Sequence, residues 1–195
     1  MQGKLNQTIA NLTTNVSFNS DPVDMSGVEN FTIQAKWTVP AAIVFAPTDI
    51  VVLTNIITKT AHGLITGTEG IFTTATTLPT GIAPATPYYI VKLTDNTFKI
   101  SDTKAHALAG TDIIDITNQG VGNHTFTATA LAISIQPQIS NEPSTVGWIS
   151  YGTPTASTGA GNVSWDIPTD SKWSRLAVTW TAGQVTFLAV DAGQG

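Results

Sequence analysis

Apolar and polar residues alternate without a break over residues 31–37 (FTIQAKW). Phe31, Ile33, Ala35 and Trp37 share one phase, and Thr32, Gln34 and Lys36 share the other. A period of two marks a strand with one buried and one wet face. The pattern returns over residues 131–139 (LAISIQPQI), with Leu131, Ile133, Ile135 and Ile139 opposite Ser134, Gln136 and Gln138. Pro137 interrupts that run. A residue with no N–H predicts an edge strand there, or an early end. Helical periodicity is nearly absent from the chain, so the pattern constrains it to an all-β fold.

The C-terminal part continues in this style, with strands predicted over 148–151, 162–167, 174–181 and 185–190. Ala182-Gly183 predicts a tight hairpin between the last two. Between the runs 31–37 and 131–139, which are expected to pair, lies a long interruption with a β pattern of its own. Its predicted strands are 50–53, 70–73, 88–93, 97–101, 112–116 and 124–128, with one short helix over 103–108 stopped by Gly110. The expected architecture is a β-sandwich, jelly-roll or immunoglobulin-like, built from residues 21–41 and 130–195. A second small β-barrel or sandwich module occupies 42–129, an insertion of a kind tolerated where loop ends lie close in space. Residues 1–20 are expected to be an N-terminal arm that orders on assembly.

Charge narrows the function. Charged residues make up 11% of the chain, against roughly 25% in ordinary soluble domains. So little charge favours a surface covered by neighbouring subunits. The net charge is −5 and the 8 Lys plus Arg are dispersed, so no basic patch exists to neutralise phosphates and no nucleic-acid partner is expected. No apolar run reaches the roughly 18 residues of a membrane helix. The absence of cysteine removes disulfides, thiolate metal sites and cysteine nucleophiles. The first residues lack the apolar core of a secretory signal, so synthesis in a cytoplasm is expected.

Residues 62–126 carry a recognisable phrase: His62-Gly63-Leu64, Leu78-Pro79-Thr80-Gly81-Ile82, Pro87-Tyr88-Tyr89-Ile90-Val91, Asp95-Asn96-Thr97-Phe98-Lys99-Ile100, and Gly120-Val121-Gly122-Asn123-His124-Thr125-Phe126. In that order it resembles a module that recurs in structural proteins of tailed bacteriophages. Such modules are similar in fold to the small β-barrel half-domain of ubiquitin-activating enzymes, and with no cysteine none of that enzymology carries over. The flanking part also resembles phage virion domains, through Phe31-Thr32-Ile33-Gln34, Ser134-Ile135-Gln136, Ser140-Asn141-Glu142 with Trp148, Arg175-Leu176 and Thr186-Phe187. It departs from them at residues 141–143, which read Asn-Glu-Pro where Asn-Asp-Gly is usual.

Candidate chemistry is sparse. His62, His106 and His124 sit in separate turns and strands, and local hydrogen bonding accounts for them without a metal or acid–base site. Asp21, Asp24 and Glu29 lack the dense spacing of a calcium loop. Asp112 and Asp115 offer no pairing across a cleft. Gly159-Ala160-Gly161 has no phosphate-loop lysine, and no Gly-x-Ser-x-Gly elbow exists. No enzymatic activity, cofactor or metal is expected.

The aromatics are more informative. Trp37 and Trp180 share the apolar phase of their strands, whereas Trp173 falls opposite Leu176 and Val178. Candidate interface residues are Trp148, Tyr151, Trp173, Gln34, Lys36 and Gln136. The resemblance implies a bacteriophage virion protein made in the bacterial host cytoplasm: a multicopy capsid decoration or accessory subunit, or a neck or tail subunit. Its partners would be other virion proteins and copies of itself. The alternative is a receptor- or carbohydrate-binding module of a tail fibre using Trp148, Tyr151 and Trp173, and a glycan partner enters only there.

Overall fold

The computed structural model describes residues 6–27, 31–142, 146–168 and 170–193, and it is all-β. The chain divides into two compact units, Met1–Val39 with Leu131–Gly195, and Pro40–Ala130. Strands β1 (Asn6–Thr14), β2 (Phe18–Asn19), β3 (Val23–Asp24) and β4 (Phe31–Thr38) come first. The second unit holds β5 (Ile43–Phe45), β6 (Ile50–Val51), β7 (Ile56–Thr58), β8 (Glu69–Thr74), β9 (Pro87–Lys92), β10 (Thr97–Ser101) and β11 (His124–Ala128). The chain then returns to the first unit with β12 (Ala132–Ser140), β13 (Ile149–Ser150), β14 (Thr155–Ser157), β15 (Gly161–Ile167), β16 (Trp173–Ala182) and β17 (Val185–Gly193).

The first unit is a sandwich of two antiparallel sheets. One sheet runs β1-β17-β4-β15. In the other, β12 pairs with β16, while β13 and β14 flank β12 and β2 and β3 flank β16. Phe31, Ile33, Ala35 and Trp37 from the first sheet and Ile133, Ile135, Leu176 and Val178 from the second share one buried core. The alternation in 31–37 and 131–139 therefore reports a real inner face in both sheets.

Four expectations about this unit need correction. The N-terminal segment is not an arm over its described residues: β1 pairs with β17 from Asn6↔Gly193 to Thr14↔Val185, and β2 and β3 pair with β16. Residues 1–5 of the expected arm lie outside the described residues. β4 and β12 do not pair but approach the core from different sheets. β16 and β17 form no hairpin. Both edges of β16 are already taken, by β12 on one side and by β2 and β3 on the other. The buried Gly183 and Gln184 instead carry the chain to the opposite sheet.

Pro137 gives the fourth. β12 is interior, paired with β16 along its whole length, Pro137 included. The missing N–H is accommodated on the other flank. There β14 ends its pairing at Ile135↔Thr155 and β13 begins at Gln138↔Ser150, so no ladder N–H is asked of Pro137.

The second unit is an antiparallel sheet in the order β5-β11-β8-β9-β10-β7-β6. Phe72 anchors its core, 5.0 Å from Phe126, 5.9 Å from Tyr88 and 6.1 Å from Phe45 between ring centroids. Gly70 is needed beneath these rings, because a Cβ there would lie 2.5 Å from the Phe126 ring and meet the Thr127 carbonyl oxygen. The one α-helix among the described residues, α1 (Lys104–Ala109), is capped by the Thr103 hydroxyl accepting from the His106 N–H. It ends at Gly110 with φ 69°. Residues 112–116 are not a strand: Asp112 turns left-handed at φ 47°, and only an isolated bridge, Ser101↔Ile113, forms.

Candidate functional site

The outer face of the β12–β16 sheet gathers the best candidates. Inner-phase residues of β16 are buried, so Trp173 and Arg175 project outward beside Gln138 of β12. Arg175 Nε donates to Gln138 Oε1 at 2.8 Å. Its guanidinium carbon lies 4.3 Å from the centroid of the Trp148 ring, a cation–π distance. Partial burial lowers the Arg175 pKa below its ordinary value. A separate groove of about 290 Å³ runs past Ile139, Val146 and Ile149. Val146 and Ile149 are 73% and 67% exposed, and Ile149 pairs with the inner-phase Ile139 at the margin of the sheet.

The six candidates do not form one site. Trp148, Trp173 and Gln136 belong to this sheet, with both tryptophans half-buried. Tyr151 packs against the sandwich core. Gln136 serves the sheet itself, its amide donating to the Tyr151 carbonyl at 2.6 Å and the Pro137 carbonyl at 3.1 Å. Gln34 and Lys36 are exposed on the opposite sheet, lining a shallow groove of about 280 Å³ with Asn162 and Ser164. Arg175 and Gln138 were not among the candidates. The phase of Arg175 matches that of Trp173, but its register opposite Gln138 joins distant parts of the chain and leaves no local signal.

Each histidine has a local partner. His62 Nδ1 accepts from the Leu64 N–H at 3.1 Å, so the ring proton sits on Nε2, which donates to the Thr94 carbonyl at 3.0 Å. His124 Nε2 donates to the Gln119 carbonyl at 2.8 Å, and its ring lies 5.6 Å from Phe45. His106 lies between two carboxylates, with Asp102 Oδ1 at 2.6 Å from Nδ1 and Asp112 Oδ2 at 3.5 Å from Nε2. The Asp102 hydrogen bond raises the His106 pKa, and the same bond lowers that of Asp102.

A further cluster, unmarked in the sequence, surrounds Glu69. Tyr89 donates its hydroxyl proton to Oε2 at 2.9 Å and Thr129 to Oε1 at 3.1 Å. Burial raises Tyr89 and lowers Lys104 nearby. With both carboxylate oxygens engaged, the cluster ties β8 to β9 rather than presenting a free base. Among the described residues, no group of three or more His, Asp or Glu side chains is placed to hold a metal ion. No helix there is long and apolar enough to cross a membrane. Comparison with models of protein families, with curated proteins and with solved structures finds no match to this chain.

Proposed function

We propose that this chain is a non-enzymatic structural protein of a bacteriophage virion. It serves as a multicopy capsid decoration or accessory subunit, or as a neck or tail subunit, through protein–protein assembly contacts. The observation that carries this reading is the outer face of the β12–β16 sheet. It offers an Arg175–Trp148 stack and a half-buried Trp173. Arginine and tryptophan anchors are the composition of an assembly hot spot. The phage origin is supported by the resemblance of residues 62–126 and of the flanking sandwich to virion modules. The low charged fraction of 11% agrees with a surface meant to be covered.

The partners under this reading are capsid, neck or tail proteins and copies of the chain itself, met in the virion after synthesis in the bacterial host cytoplasm. The alternative, a receptor- or carbohydrate-binding module of a tail fibre, would rest on Trp148 and Trp173, because Tyr151 is committed to the core. Mass spectrometry and cryo-electron microscopy of purified particles test the proposal. The chain is expected in many copies with the Trp148–Arg175 face covered, and its absence from particles would overturn the reading. Glycan-array binding lost in Trp173→Ala would favour the alternative.

A further inference from the structure

The outermost strand of a sheet carries unpaired N–H and C=O groups that invite another strand, and natural proteins blunt such edges by brevity, bulges, lysine or proline. The edges of this chain follow that practice with one exception among the described residues. β5 has three residues and β6 two, and they end the sheet of the second unit. β2, β3 and β13 have two residues each and β14 has three. β1 has nine, but its register against β17 shifts twice. β15 is the exception. Its seven residues pair with β4 in unbroken register from Gly161↔Trp37 to Ile167↔Phe31. It contains no lysine, arginine or proline, and no described strand pairs with its other edge.

We propose that β15 is a self-pairing strand: two copies of the chain join their β15 edges antiparallel about a two-fold axis at Ser164. The two β1-β17-β4-β15 sheets then become one continuous sheet. This inference needs only the fold of the first unit and stands apart from any role in a virion.

The choice of a second copy as partner rests on how the strand complements itself. A two-fold axis normal to the sheet keeps each side chain on its own face, so opposed residues must share a parity. Centred on Ser164, the pairing sets Asn162 opposite Asp166 of the second copy and Val163 opposite Trp165 of the second copy. Asn162, Ser164 and Asp166 are all exposed. The Asn162 amide can donate to the Asp166 carboxylate, which in each chain already accepts from the Thr32 hydroxyl at 3.0 Å. Val163 and Trp165, half-buried at the rim of the core, meet as a β-branched and aromatic pair. No like charges oppose one another. The neighbouring registers are worse. An axis at Val163 sets Trp165 against Gly161, and one at Trp165 sets Asn162 against Pro168, which has no N–H for the ladder.

The cysteine-free chain makes the test clean. Opposed residues of an antiparallel pair have Cα atoms about 4.5–5.5 Å apart, within disulfide reach. Ser164→Cys in the full chain is therefore expected to cross-link to a dimer under mild oxidation. Asn162→Cys is expected to form no cross-link, its two copies lying about 13 Å apart along the strands. In sedimentation velocity the unmodified chain should run at twice its 20.4 kDa mass. Ser164→Lys and Ser164→Glu should each run as monomers, and their equimolar mixture as a dimer. Recovery in the mixture distinguishes charge opposition from misfolding. A monomeric unmodified chain, a dimeric Ser164→Lys, a mixture that stays monomeric, or Asn162→Cys cross-linking as readily as Ser164→Cys would each overturn the inference. None of these results bears on whether the chain is found in particles.

Discussion

The Gln136 side-chain amide donates to the Tyr151 backbone carbonyl at 2.6 Å, across a break in the sheet made by Pro137. Pro137 returns the link, accepting from the Tyr151 N–H at 2.8 Å. The side chain of one residue thus supplies a donor beside the residue that cannot supply its own, and the segment between β13 and β14 stays attached to β12. Gln136→Ala should lower stability by about 1 kcal/mol, the usual cost of one lost hydrogen bond. Gln136→Glu should cost more, because a carboxylate cannot donate and would face carbonyl oxygens. Urea midpoints of the two variants check the order.

Arg175 holds Trp148 and Gln138 at once, so the effects of these residues should not add. Arg175→Ala and Trp148→Ala together should destabilise less than the sum of the singles, by about 0.5–1 kcal/mol. Arg175→Lys should not restore the coupling, since an ammonium has no planar fork to stack on the ring and reach Gln138 together. A double-mutant cycle on unfolding free energies measures this, and strict additivity would remove the stack as an energetic unit.

His106 and Asp102 form a pH-dependent clamp on the α1 turn. The His106 pKa is raised above its ordinary 6.5, so its contribution is full below 6.5 and lost as pH rises through the folded value. Asp102 is shifted down from 3.8, so its share is present above 3.8 and lost as pH falls through the folded value. Between those limits the clamp is complete. An NMR titration should place the His106 midpoint above 6.5, and Asp102→Asn should move it back down. An unmoved midpoint would show that Asp102 is not the cause.

Gly70→Ala should destabilise the second unit by about 1–3 kcal/mol, the range for overpacking a filled core. The obstruction is the Thr127 backbone together with the Phe126 ring, neither of which can swing aside as a flexible side-chain end would. Hydrogen exchange should register the loss in β8 and β11, with amides of the first unit protected as before. Equal loss in both units would mean that the two unfold together.

By itself the sequence determined the faces of the long alternating strands. Ile33 and Ile135 could be assigned to a core from residues two positions away, because a strand's alternation is a property of near neighbours. Turns with special backbone needs were legible on the same local grounds, as at Gly110. Which sheet a strand joins was another matter. β16 and β17 are separated by only Gly183 and Gln184, yet they enter different sheets because β12, β2 and β3 already occupy both edges of β16. Pro137 sits in an interior strand because the flanking edge is interrupted to spare it. The N-terminal residues 6–14, with no distinct pattern of their own, became a strand by pairing with β17 at the far end of the chain. The Arg175–Trp148 stack and the open edge of β15 belong to the same class. Each depends on which distant backbone takes each hydrogen-bonding edge, a competition settled only when the whole sandwich closes.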